Sequence, residues 1–314
     1  MIYTSICDMI GIKYPVFQGG MAHISDAVLA AAVSNAGGLG IVSAASGNIA
    51  QIEKEIDRAF ELTDKPFGVN VMLLGDNIDE IAALLARKKV AVVTTGAGSP
   101  GKYIPMWKDA GIKVIPVVPS CAFAKLAQRS GADAVIAEGT ESGGHVGEMT
   151  TMALVPQVCN AVDIPVIAAG GIADGRGVAA SFMLGACGVQ IGTRFLCAKE
   201  CNISRVYKEK VLEANDTATI VTGRRLGHPV RSIKTDFSRN YAKLEYTDIP
   251  NDELEKLATG TLRAAVVDGD EKKGCFLSGQ ISGLVTKEQS AKEIIEEIFC
   301  ETESILNGAK KWVK

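Results

Sequence analysis

The sequence is short of net charge, of histidine and of long apolar runs, and each shortage closes off a class of protein. With 33 Lys and Arg against 36 Asp and Glu the formal charge is -3. That leaves no overall basic field of the kind that binds nucleic acid without sequence preference. Nowhere do 18 apolar residues follow one another, so no membrane partner is expected. The N-terminal stretch MIYTSICDMIGIK lacks the basic segment, apolar run and small-residue cleavage site of a secretory signal, and a cytoplasmic location is the expectation. The eight cysteines are scattered with no CxxC pair, which suits reduced thiols better than a disulfide framework. Cys197 and Cys201 could share a helix face, but no further Cys or His spacing completes a metal site, so no metal is expected. HExxH, Walker and Ser-His-Asp patterns are also missing.

What is present is a rhythm. Short runs rich in Val and Ile begin near Val16, Leu39, Phe67, Val90, Val114, Ala134, Val166 and Val189, 20 to 32 residues apart. Runs of this kind, bounded by Gly, Pro or Asp, read as strands buried on both faces. Each gap holds a helix-like pattern such as SDAVLAAAVSNAGG or NIDEIAALLARKK, so the chain reads as repeated βα units. An open Rossmann sheet would need GxGxxG after its first strand, whereas the first strand here meets GGMAHIS. Eight units predict an α/β fold of the (β/α)8 TIM-barrel class. The rhythm stops after Phe195, and residues 200–275 read as polar helices and turns. They are expected to form a smaller, mainly helical cap inserted into a barrel made of residues 1–199 and 276–314.

In such barrels the chemistry sits on loops after the C-terminal strand ends. The Gly-rich and polar positions fall there: Gln18 to Met21, Asn70, Thr95 to Gly98, Glu138 to Gly147, Gly170-Gly171 and Gly192-Thr193. Glycines after the last two predicted strands match a phosphate cradle built from backbone N–H groups; tight turns are the plainer alternative. His145, one of three histidines, follows Gly143-Gly144 on the sixth loop. The two glycines would let a planar ligand approach the backbone, and an imidazole there can act as acid or base near neutral pH. His23 and His228 have weaker claims, since His228 could face the same site or simply occupy a turn.

At these residues the chain resembles the flavin-dependent enoyl-acyl-carrier-protein reductases II, the FabK type, within the nitronate monooxygenase (2-nitropropane dioxygenase) superfamily. The likeness runs through YPVFQGGMA (14–22), SNAGGLGI (34–41), DKPFGVN (64–70), VVTTGAG (92–98), GGHVG (143–147), IPVIAAGGIADG (164–175), QIGTRF (190–195), GHPVR (227–231) and GQISGLV (279–285). It implies FMN held by Gly20, Met21, Asn70, Glu138, Gly143, Gly144, Gly171, Gly192 and Thr193, with Gln280 near the ring. It also implies His145 beside flavin and substrate, NADH or NADPH as co-substrate, enoyl chains on acyl carrier protein, and a homodimer. One departure is His23, where relatives often carry a bulky aromatic.

Other readings stand beside that one. A nitronate monooxygenase would use the same histidine to take a proton next to a nitro group. A non-redox lyase or isomerase would use the phosphate cradle for its substrate, and a pure binding module would leave the barrel inert. Arg224, Arg225, Arg231 and Lys234 lie in a stretch without acids. They could dock an acidic carrier protein, bind the phosphates of the nicotinamide cofactor, or be solvated and internally paired charges.

Overall fold

The computed structural model describes residues 2–45, 48–75 and 77–312. Eight parallel strands form the wall: β1 (Val16–Gln18), β2 (Gly40–Ser43), β3 (Phe67–Met72), β4 (Val92–Gly96), β5 (Lys113–Val118), β6 (Val135–Glu138), β8 (Val166–Ala169) and β9 (Gly188–Ile191). The two-residue β7 (Gly144–His145) lies outside it. Neighbours run β1-β9-β8-β6-β5-β4-β3-β2. The ring closes where Phe17 bridges Leu39, with Gln18 N donating to Leu39 O at 2.9 Å and Leu39 N to Val16 O at 2.8 Å. The protein is thus a TIM barrel, and each strand starts within two residues of its expected place.

Successive side chains of a strand point to opposite faces, and the apolar clusters follow that alternation. Phe17, Ile41, Val92, Ile115, Ile136 and Ile167 join one interior cluster. Their neighbours Val42, Val93 and Val114 pack outward in a second cluster, and Val16, Val135, Val166 and Val189 in a third. Ile6, from the helix Ser5–Ile10, and Ile12 belong to the interior cluster too. Outward packing is close enough to demand glycine in places. A Cβ on Gly40 would stand 1.8 Å from Ala30 O of the helix Ala27–Asn35. One on Gly175 would stand 2.5 Å from Thr302 N of the helix Ala291–Gly308. Helix starts carry their own signals: Asp26, Asn48, Ser120 and Asp174 each cap a first turn with a side-chain oxygen.

Residues 200–275 contain the helices Arg205–Leu212, Asp236–Leu244 and Asn251–Ala258. They also contain a hairpin that the helical expectation did not include, β10 (Thr219–Thr222) antiparallel to β11 (Val230–Ile233). Its residues are only partly apolar, and β11 gains its second partner from far away in the chain, pairing with β7. Tyr207, Val211, Ile233, Ala265 and Phe276 share one apolar cluster with Val16, Val166 and Val189 of the wall. The Tyr207 hydroxyl donates to Leu277 O at 2.7 Å. No helix among the described residues is long and apolar enough to cross a membrane.

Candidate active site

A cavity of about 570 Å³ opens at the C-terminal ends of the strands, within the roughly 300–1,000 Å³ of small-molecule and cofactor pockets. The loop after β1 forms its first wall. Gln18, fully buried, donates from Nε2 to Ser25 Oγ at 2.8 Å and accepts from Ile41 N at 3.1 Å. Ser25 Oγ in turn accepts from Met21 N at 2.8 Å. This polar knot fixes Gly19, Gly20 and Met21 at the cavity edge. Gly20 lies against β3, where a Cβ would stand 2.3 Å from Asn70 Cβ. Thr94 Oγ1 donates to Asn70 Oδ1 at 2.9 Å, which leaves the Asn70 amide nitrogen as the donor for a ligand.

The opposite wall comes from the loop after β6. Glu141 accepts from Thr151 N at 2.9 Å and from Thr151 Oγ1 at 2.9 Å, capping the helix Thr151–Ala161 from ten residues away. Thr151 Oγ1 also reaches Gly170 O at 2.9 Å. Gly170 and Gly171 hold φ of +87° and +72°, values that favour glycine. A Cβ on Gly170 would meet Gly139 O at 2.7 Å, so the turns after β6 and β8 rest directly on each other. Gly143 is wedged against the Ser278–Gly279 peptide, 2.7 Å from where its Cβ would be.

His145 is held by strand pairing. It faces Val230 of β11, and Val146 N donates to Pro229 O at 3.0 Å. On the other side of the ribbon Arg231 Nε and Nη2 donate to Thr140 O at 3.2 and 3.0 Å, and Nη1 to Thr219 Oγ1 at 3.2 Å. Desolvation by the cavity wall, and then the charge of His228, hold the His145 pKa below the usual imidazole value. Burial raises the Glu138 carboxyl from 4.5 to about 7. The Ser142 hydroxyl opposes this shift, yet it forms no well-aligned hydrogen bond among the described residues.

Gly20, Met21, Asn70, Glu138, Gly143, Gly144, His145, Gly171, Gly192 and Thr193 all line this one cavity. Gln280 does not: it is exposed, and its neighbours Gly279 and Ile281 line the wall instead. Glu141, Ser142, Gln190 and His228 line it as well. Glu141 stands out only in three dimensions because its partner Thr151 lies across a loop, and His228, for which a cavity position and a turn were both open, lines the cavity from the turn before β11. His23 is exposed, with φ +61°. Three of the four patch cations are engaged by backbone carbonyls: Arg225 with Thr247 and Ile249, Lys234 with Thr217, and Arg231 with Thr140. Arg224 is exposed.

The donor set fits a flavin mononucleotide. Among the described residues the lining contains no Lys or Arg side chain, so a phosphate would be met by backbone N–H groups. Such a cradle has room at Gly192, where the nearest atom to an added Cβ is Met21 Sδ at 3.8 Å. The buried Ser142 hydroxyl, with no well-aligned partner among the described residues, and the amide of Asn70 suit the polar edge of a planar ring.

The chain is similar to several known proteins. The family model described as nitronate monooxygenase matches residues 4–87 and 73–301. FabK from Thermotoga maritima is 46% identical with a TM-score of 0.98, each chain covered over 100% of its length. A (3aS,4S,5R,7aS)-5-hydroxy-7a-methyl-1-oxo-octahydro-1H-indene-4-carboxyl-CoA dehydrogenase of Mycobacterium tuberculosis is 33% identical, with 99% of each chain covered. A probable nitronate monooxygenase of Staphylococcus aureus is 34% identical over 96% of this chain and 98% of its own.

Proposed function

The chain belongs to the nitronate monooxygenase family, a family of oxidoreductases, and from that premise we propose that it is an FMN-dependent enoyl-acyl-carrier-protein reductase drawing electrons from NADH or NADPH. The observation that carries this reading is the end-to-end likeness to FabK, higher in identity than that to the probable nitronate monooxygenase. The M. tuberculosis relative is named for a CoA-thioester substrate, which supports thioester chemistry in this fold.

Bound FMN would supply the two-electron carrier chemistry between the nicotinamide and the β-carbon of a trans-2-enoyl thioester. The chain's own part is binding, orientation and proton handling. Gly20, Met21, Asn70, Glu138, Gly143 and Gly144 would hold the ring system, and Gly171, Gly192 and Thr193 the phosphate, with Gln280 outside the wall. His145, fixed by β11, donates a hydrogen bond to the thioester oxygen as negative charge develops there, or hands a proton to the α-carbon. Residues 200–275 act as the cap that carries β11 to this position. The acyl chain is presented by acyl carrier protein, with Arg224 an exposed cation of the basic patch; a cytoplasmic homodimer completes the proposal.

The family match and the S. aureus relative favour a second reading, nitronate oxidation, in which His145 takes the proton next to the nitro group. Anaerobic mixing with NADH followed by crotonyl-CoA separates the two. The reductase bleaches its flavin absorbance with NADH and regains it with the enoyl thioester. A yellow protein that NADH leaves unchanged, and that turns over nitroalkanes in air, is a nitronate monooxygenase.

A further inference from the structure

Val230 stands opposite His145 and Arg231 opposite Gly144 in the antiparallel β7–β11 pair. Residues two apart on a strand share a face, and diagonal neighbours across the pair remain within reach of long side chains. His228, two residues before Val230, therefore falls on the His145 face, while Arg231 points the other way to Thr140 O. Pairing continues as far as Pro229, whose carbonyl accepts from Val146 N, and both imidazoles line the same cavity.

The turn that delivers His228 is specially built. Gly223 and Gly227 hold φ of +82° and +77°, and His228 N donates to Gly223 O at 3.1 Å. A Cβ on Gly223 would stand 2.4 Å from His228 O, and Pro229 fixes the backbone on the other side.

The ionisable groups facing this pair are few. Glu138 comes from β6 and Glu141 from the loop after it, the latter bound to Thr151. Among the described residues no Lys, Arg or Asp side chain lines the cavity. Arg231 sits on the opposite face of the ribbon, Arg224 on the turn and Glu148 beyond Gly147.

We propose that His228 is a positioning residue for His145: the ribbon sets the two imidazoles on one face of one cavity, and His228 there keeps His145 in its neutral form. His145 then meets its substrate as a neutral imidazole, able to donate from one nitrogen and accept at the other. The inference rests on His145 as the proton-handling group, and it holds for hydrogen-bond donation to the thioester oxygen and for proton abstraction next to a nitro group.

With three histidines in the chain, imidazole NMR of the FMN-loaded protein resolves each titration without any substrate. In His228→Ala the His145 midpoint moves upward, and in His228→Lys it moves below that of His228→Ala. The acid limb of kcat/KM follows, so that for His228→Ala the activity at pH 6 relative to pH 8 falls by roughly threefold or more. His228→Gln, of similar reach and uncharged, repeats the upward shift if the alanine variant folds poorly. An unchanged His145 midpoint in a folded His228 variant, or an equal loss of rate at every pH, overturns the proposal. Failure of enoyl reduction alone leaves these titrations standing, which separates this inference from the assigned reaction.

Discussion

Halfway up the barrel, Ile41, Val92, Ile115, Ile136 and Ile167 fill the interior with fully buried hydrocarbon. Two residues further along the same strands, about 7 Å, the inward material becomes Asn70, Thr94, Glu138 and glycine. The midsection is held by shape, and a change there is felt as lost packing. The upper rim is held by hydrogen bonds and close backbone contacts, and it tolerates a carboxyl group whose pKa is pushed to about 7. Stability and chemistry thus occupy successive layers of one wall, and substitutions should separate them.

The largest effect should come from Gly40→Ala, in the wall below the rim. Its Cβ would sit 1.8 Å from a helix carbonyl, and backbone on both sides leaves nothing to give way. A loss of more than about 4 kcal/mol is expected, read as collapse of the thermal transition. Next is Gly192→Ala at the rim, where an added Cβ meets nothing nearer than Met21 Sδ at 3.8 Å. Thermal stability should change little while flavin affinity, measured by fluorescence titration, weakens by about tenfold or more. If Gly192→Ala instead unfolds the protein, the separation of layers fails.

The smallest effect concerns Glu138. Its folded pKa lies above the ordinary 4.5, at about 7, so across that window the folded state holds more protons than the unfolded one. Its contribution to stability therefore falls as pH rises from 4.5 through about 7. His145, with a lowered pKa, works in the opposite sense, which is why the comparison is between variant and wild type. Glu138→Gln cannot titrate, and its flavin-free form should gain stability over wild type at pH 8 but not at pH 4. Parallel Tm curves at all pH values would mean that the carboxyl is not desolvated.

The midsection was far more legible than the rim. Runs such as VIAAGG and VAVVTT state their own burial, and so the strands could be placed within two residues. The glycines, Asn70 and His145 were legible as rim residues because they interrupt those runs. The β10–β11 hairpin was not: TIVT and VRSI are half polar, and their reason to be extended is a pairing with Gly144–His145 over 80 residues away. The basic stretch from Arg224 to Lys234 looked like a patch of free charges, but most of its cations are engaged by backbone carbonyls, Arg231 in the interior and Arg225 and Lys234 at the surface. Gln280 matched a motif, yet the short helical turn Gln280–Leu284 leaves it exposed.

The central claim is that His145 performs the proton step and little else. His145→Ala should keep its thermal transition and its bound flavin while turnover with crotonyl-CoA and NADH falls about 10²- to 10⁴-fold. A variant that is folded, yellow and nearly as fast as wild type would contradict it.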